Sequence, residues 1–359
     1  MTYLAGTMVL AVDAGAPNNG RGDQNIGRVK AARIDGRTHP YVSAQAFRRW
    51  LRDTMAEHGA QPSPVEKQGK AQGKNQKGTT AADPIRYTDD DIFGYMKAGP
   101  KGKKDEEAGT TVRDSPFMLG TLMAIEPVRI TSDFGTMSRG DGDPILHEHE
   151  FYTAQLTAPF LLDLPRIGTF TLPGTAGADR ANYLSEQSAL QVAAALQIGA
   201  TPETFRGQKA VRLPIHHRRD RAAALLEAFA TVSGGAKRAL HYGDRTPAIT
   251  MLLPMAGGIN PLGFAIGRND DGAGWQVHPE VLADELHAWA GEWQAPLRIG
   301  WRPGFRNDLR RHLTDGLAEH ITSGTVVIDH PRTLFRALAA EIRDGHHDDW
   351  FDDPKTATA

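Results

Sequence analysis

The stretch Met8-Val-Leu-Ala-Val-Asp-Ala14 is apolar at all but one position and stops at Gly15, Pro17, Asn18, Asn19 and Gly20. A buried strand that ends in a sharp turn fits this pattern. A second, basic strand follows from about Gly27 to Ile34, closed by the Asp35-Gly36 turn. Ser43 then offers an N-cap, because its hydroxyl can accept from the free amides of a first helical turn. From Ala44 to Ala56, residues Ala46, Phe47, Trp50, Leu51 and Met55 fall on one helix face, and Gly59 closes the helix. A chain that begins strand, turn, strand and capped helix has to bury a sheet against helices.

Downstream, the order of elements supports that architecture and shows where it is interrupted. Residues 61–78 contain almost no apolar side chain and four lysines against one acid, which predicts a flexible basic insertion. A second such run, 97–111, carries Lys97, Lys101, Lys103 and Lys104 ahead of three acids, and an ordered segment, 89–96, lies between the two. Order resumes at Ser115. Leu119 to Ile130 reads as a strand limited by Pro127, and Glu148 to Phe160 and Gly168 to Leu172 alternate in the strand manner. Helices are expected over Ala178–Gln197 and Arg218–Val232, with an apolar strand at Ala248–Pro254. The last ninety residues read as mostly helical over 279–293, 305–321 and 333–343. The end, 341–353, carries six acids against one arginine and predicts a solvated tail. Interleaved strands and helices with long insertions predict an α+β fold of the ferredoxin-like kind, a doubly wound sheet fitting less well. The expected division is 1–58 for the first part of a palm, 59–114 for a finger-like insertion, and 115–265 for the rest of the palm. A mainly helical region with the acidic tail is expected over 266–359.

Charge and composition exclude several classes. With 41 Lys and Arg against 43 Asp and Glu the net charge is −2, so a uniformly basic nucleic-acid coat is excluded, although a local basic groove is not. The absence of cysteine removes disulfides, thiolate nucleophiles and Cys-ligated metal centres together. No apolar run near the start is long enough to cross a bilayer, and none has the flanks of a signal peptide, so a cytoplasmic chain is expected.

The strongest local feature is basic. Between Arg28 and Arg52 stand seven cations (Arg28, Lys30, Arg33, Arg37, Arg48, Arg49, Arg52) and one acid, Asp35. Arg48 and Arg52, four residues apart, share a helix face. Ser43 and Gln45 sit where free backbone N–H groups favour an anion, so the helix start and its arginines form a candidate cradle for successive phosphates. A solvated amphipathic helix is the alternative. Gly234-Gly235-Ala-Lys237 is either a helix C-cap or a loop that lets backbone approach a phosphate, with Lys237 as counter-charge. Met137 is either a core residue or an apolar wedge between bases. His147 and His149 would share one strand face, but spacing supplies no third metal ligand, and His216-His217 and His346-His347 read likewise as surface histidines. Asp133, Asp141 and Asp143 read as turn formers. There is no HExxH, GxSxG or Walker A sequence.

Taken together, several segments resemble the backbone subunit of type I CRISPR surveillance complexes (Cascade), in the DevR branch of the RAMP superfamily. They are Asn18-Asn19, Lys30, Asp35-Gly36, Tyr41-Val-Ser43-Ala-Gln45-Ala-Phe-Arg48-Arg49-Trp-Leu-Arg52, Asp91–Met96, Arg113–Phe117, Ser132–Gly135 and Gly234–Ala236. They occur in the expected order over roughly residues 5–260. The resemblance implies a modified RNA-recognition palm with finger insertions and a thumb hairpin, here near 131–153. It implies a subunit that stacks head to tail with copies of itself along a CRISPR guide RNA. Target DNA paired to the guide and other Cascade subunits would be its further partners, with no membrane, cofactor or metal. It assigns guide contacts to Lys30, Ser43, Gln45, Arg48, Arg49 and Arg52, with Asn18 and Asn19 nearby. Met137 would belong to the thumb, and Gly234, Gly235 and Lys237 to the loop over the backbone. Such a subunit holds phosphates and leaves sequence to base pairing. No aspartate matches the cutting residue of the related type III subunits, so no catalytic residue is expected. The alternatives are an RNA-processing enzyme of the same superfamily acting through His149 or Asp133, and a DNA-binding regulator.

Overall fold

In the computed structural model, which describes residues 1–20, 26–68, 77–97, 111–137, 145–172, 188–269, 272 and 274–353, six elements form the centre. They are β1 (Thr2–Gly15), α1 (Ala44–Glu57), β2 (Leu122–Ala124), β3 (Ile145–Asp163), α2 (Ile215–Phe229) and β4 (Ile249–Ala256). Their spatial order is β4-β1-β3-β2, every neighbouring pair antiparallel. Each helix therefore connects two parallel strands that have one strand between them. This is the α+β, ferredoxin-like arrangement expected from the order of elements.

β1 is apolar at successive positions because both of its faces are covered. Leu4, Met8, Leu10 and Val12 point into a core shared with α1, α2 and the helix Pro331–Arg343. Phe229 of α2 is central there, with ring centroids 5.0 Å from Phe335, 5.2 Å from Phe160, 5.8 Å from Phe117 and 5.9 Å from Phe47. Val9 points the other way, into a second core with Ile249, Met251, Leu253, Ile299, Trp301 and Trp275. The opposite face of the sheet is thus closed over β1 and β4. β1 also begins six residues before the apolar run that announced it, since Tyr3, Gly6 and Thr7 break the pattern without breaking the strand.

The region after 265 contains more than helices. Leu297–Trp301 pairs antiparallel with β4, and Val326–Asp329 pairs parallel with that strand, extending the sheet. At five and four residues, these runs are too short for periodicity to separate them from helix ends. The acidic tail is not solvated as charge counting suggests. Trp350 and Phe351 are buried. Asp348 pairs with Arg219, Asp353 lies 3.8 Å from Arg206, and Glu341 takes both guanidinium nitrogens of Arg298 at 2.6 and 2.9 Å. Each of these acids meets an arginine that lies far away in sequence.

The basic insertions fall largely outside the described residues; what is described is their stems. Val65–Gln68 pairs with Lys77–Thr80, and Tyr95–Lys97 with Thr111–Arg113. The first is anchored: Ser63 donates its amide to Asp89 (3.0 Å) and its hydroxyl to Asp90 (2.8 Å). The expected helix at 178–197 is described only as Ser188–Gln197. From the sheet, Thr131–Met137 pairs with the first part of β3 as a long hairpin. No helix among the described residues is long and apolar enough to cross a membrane.

Candidate nucleic-acid interface

Three segments distant in sequence meet at the start of α1. Ser43 caps the helix, its Oγ accepting from the Ala46 amide at 3.3 Å and from Asn18 Nδ2 at 3.5 Å. Asn18 is held in turn by the Lys30 amide, which donates to its carbonyl at 3.0 Å, and Asn19 bridges to Val29. The turn after β1 is thereby laid along residues 28–30. The third segment is the Gly-Gly loop. Gly234 has φ +146° and Gly235 φ +95°, values that disfavour a side chain. A Cβ on Gly234 would lie 2.5 Å from the Trp50 ring, and one on Gly235 3.0 Å from the Pro17 carbonyl. Ala236 donates to that same carbonyl at 3.0 Å. The loop is thus more than a helix C-cap, since it docks on α1 and on the Asn18-Asn19 turn together.

Lys237 follows in a left-handed conformation and lies over Gly27, where a Cβ would come within 2.8 Å of its Nζ. Asn18, Asn19, Lys30, Ser43, Gly234, Gly235 and Lys237 are therefore brought together, and Gln45 stands exposed on the first helical turn beside them. Cations outnumber acids here. Glu150 is an acid within this group, taking the Val29 amide at 2.9 Å and lying 4.0 Å from Arg28.

The arginines of α1 are placed differently from the expected cradle. Arg48 donates to the Ser115 hydroxyl (3.3 Å) and the Phe117 carbonyl, and Arg52 pairs with Asp89 (3.2 Å) over the Phe93 ring. Their shared face is real, but it is turned onto residues 89–117, where desolvated donors find fixed acceptors. Arg49 is exposed and paired with Asp53 at 2.7 Å. Met137 ends its hairpin strand opposite Ile145, and its side chain lies outside the description.

Sequence reasoning named Asp133 and His149 singly, as a turn former and a surface histidine or as alternative acting groups; the structure puts Asp133 within a strand, buries His149 and joins the two in a cluster at the base of the hairpin. Asp133 stands opposite His149 and touches its Nε2 at 3.4 Å. His149 lies 5.0 Å from His241, which lies 5.2 Å from Phe151. Burial, then Lys237 and His241, pushes the His149 pKa below the ordinary histidine value, favouring the neutral ring. Alternation along β3 placed His147 and His149 on one face, but His241 sits in a loop with no periodicity to announce it. Among the described residues no group of His, Asp and Glu is arranged to hold a metal ion.

No family model and no curated protein matches the sequence. Among solved structures, the chain is similar to a chain of a CRISPR RNA-guided surveillance complex, with 12% identity and a TM-score of 0.47, covering 94% of this chain and 98% of that one. It is also similar to a chain of a CRISPR RNA-guided surveillance complex in a pre-nicking state, with 12% identity and a TM-score of 0.49, covering 95% and 100%.

Proposed function

We propose that this chain is a guide-RNA-binding subunit that multiplies along the guide as the backbone of a type I CRISPR surveillance complex, with no cutting activity of its own. The observation that carries the reading is the meeting of Asn18, Lys30, Ser43, Gly234, Gly235 and Lys237 at the start of α1. These residues belong to the motif set that resembles the family, and the fold unites segments more than 200 positions apart. Backbone amides, small polar side chains and lysines suit phosphates and carry no base code. The closed second face of the sheet keeps bases off β1 and β4, so a strand would run along this edge instead.

Expression with a repeat–spacer array and the neighbouring genes, followed by sequencing of co-purified RNA, tests the reading directly. RNAs of uniform length, each one spacer flanked by repeat, are expected; protein free of RNA would sink it. In binding assays Lys30→Ala with Lys237→Ala is expected to weaken unrelated spacers equally. The slope of log K against log salt should fall by about 0.7 for each lost phosphate contact. A loss confined to one sequence, or an unchanged slope, would remove this edge from the interface.

One observation favours the second reading, an RNA-cutting enzyme: the contact of Asp133 with a neutral-leaning His149 beside Lys237. A histidine oriented by a carboxylate can abstract a hydroxyl proton. Under the scaffold reading, purified protein leaves bound RNA intact, and His149→Ala changes nothing in that assay. Turnover abolished by His149→Ala would put the enzyme in its place.

A further inference from the structure

Four arginines are buried among the described residues: Arg113, Arg218, Arg221 and Arg245. Two are well supplied with acceptors. Arg113 and Arg221 share the Asp91 carboxylate and donate as well to the carbonyls of Arg166, Thr169, Pro84 and Ile85. Arg218 is less well served: Nη1 donates to the Phe351 carbonyl at 3.2 Å and the guanidinium lies over that ring, but its Nε is without a partner among the described residues. Arg245 is the poorest supplied of the four. It is 2% exposed, yet among the described residues its side chain makes one hydrogen bond, a long contact of Nη1 with the carbonyl of the preceding residue, Asp244, at 3.4 Å. Its Nε and Nη2 have no partner among the described residues. The Asp244 carboxylate is already taken by Arg302 and by the amide (2.8 Å) and hydroxyl (2.7 Å) of Thr246.

A guanidinium does not shed its proton to escape such a site, and an unpaired buried charge is among the costliest features a fold can hold. The neighbours sharpen the requirement. The Tyr152 hydroxyl, close enough for its charge state to bear on Arg245, is also buried and without a hydrogen-bond partner among the described residues. Arg238 interacts with Arg245 as a second cation, and Lys237 begins the loop that leads to it. The group that completes this site must accept a fork of N–H donors and an O–H donor and carry negative charge. A phosphate oxygen pair does both.

We propose that Arg245 and the Tyr152 hydroxyl hold one phosphodiester group of a bound strand, with Lys237 and Arg238 at the rim. The inference rests on the RNA-binding reading for the source of the phosphate, but the site itself would accept inorganic phosphate by the same chemistry. Access requires residues 238–243 to swing aside, because the Gly243 backbone closes over Nη1, where an added Cβ would lie within 2.7 Å. The outer side chains of that loop, Leu240 and Tyr242, are exposed.

The test uses Arg245→Met, a substitution of similar shape without charge, and Tyr152→Phe in the full chain. RNA affinity should fall on the order of tenfold for Arg245→Met and by less for Tyr152→Phe. The salt slope should drop by about 0.7 in the arginine variant only. The RNA-free Arg245→Met protein should melt no lower than wild type, since an uncompensated buried charge has been removed. Unchanged affinity, or a lower melting temperature with unchanged affinity of the folded fraction, overturns the proposal. If Arg245→Met does not fold, Tyr152→Phe decides: weaker binding supports the site and unchanged binding overturns it. If the wild type binds no RNA, inorganic phosphate separates the two readings. Thermal protection of wild type but not of Arg245→Met keeps the anion site while the guide-RNA function falls. No protection of either removes both.

Discussion

Replacing Asp91 by alanine is expected to destabilise the fold by about 3–5 kcal/mol, read as a shift of the urea midpoint at unchanged slope. Asp91 is fully buried. One carboxylate oxygen takes Arg113, and the other takes Arg221 at 2.6 Å and the Gly168 amide at 2.9 Å. Four parts of the chain are tied by that one residue: the helix Thr88–Phe93, the strand Thr111–Arg113, the turn at Gly168 and α2. Truncation leaves two guanidinium groups in the interior with backbone carbonyls alone, so the loss is the penalty of stranded charge rather than the worth of one contact. Against a typical total of about 5–15 kcal/mol this is a large fraction. Asp91→Asn, which keeps the shape and one acceptor, should fall between. A loss of less than about 1 kcal/mol for alanine would show that water reaches the site and solvates both arginines.

Gly234→Ala is the second large effect, and it separates placement from charge. A backbone at φ +146° is costly for alanine, on the order of 1–3 kcal/mol, and the new methyl would lie 2.5 Å from Trp50. The loop must lift from α1 to accommodate it, taking Gly235 and Lys237 with it, although no charge has changed. Under the proposed function RNA affinity falls on the order of tenfold at all salt concentrations, with a salt slope close to that of wild type. This contrasts with the lysine substitutions, which change the slope. Wild-type affinity in a folded Gly234→Ala protein would place the loop outside the interface.

How far the sequence foretold these features depended on whether a signal was local. Helix α1 was readable almost to the residue, because a cap and an apolar period are properties of neighbours in the chain. Ser43 does cap it, and Phe47, Trp50, Leu51 and Met55 are buried as their spacing requires. β3 was readable from alternation over most of its length. The direction of Arg48 and Arg52 was not, because helical spacing says that two side chains share a face but not what covers that face. Asp348, Asp353 and Glu341 misled for the same reason: a count of charges along the tail contains no trace of Arg206, Arg219 or Arg298. The Gly-Gly loop was legible as a loop, and its docking against Trp50 and Pro17 belongs to the tertiary fold. Arg245 raised no signal at all, since a single arginine beside an aspartate in a Gly-rich stretch looks like any solvated turn.

The strand order also sets a timetable for synthesis. β1 is made well before its two partners in the sheet, residues 145–163 and 249–256. At roughly 5–20 residues per second, translation needs on the order of 10–50 s to supply the second of them. For that interval the most apolar segment of the N-terminal region has no strand beside it on that side. The sheet can close only when β4, the last of the four central strands, is in place.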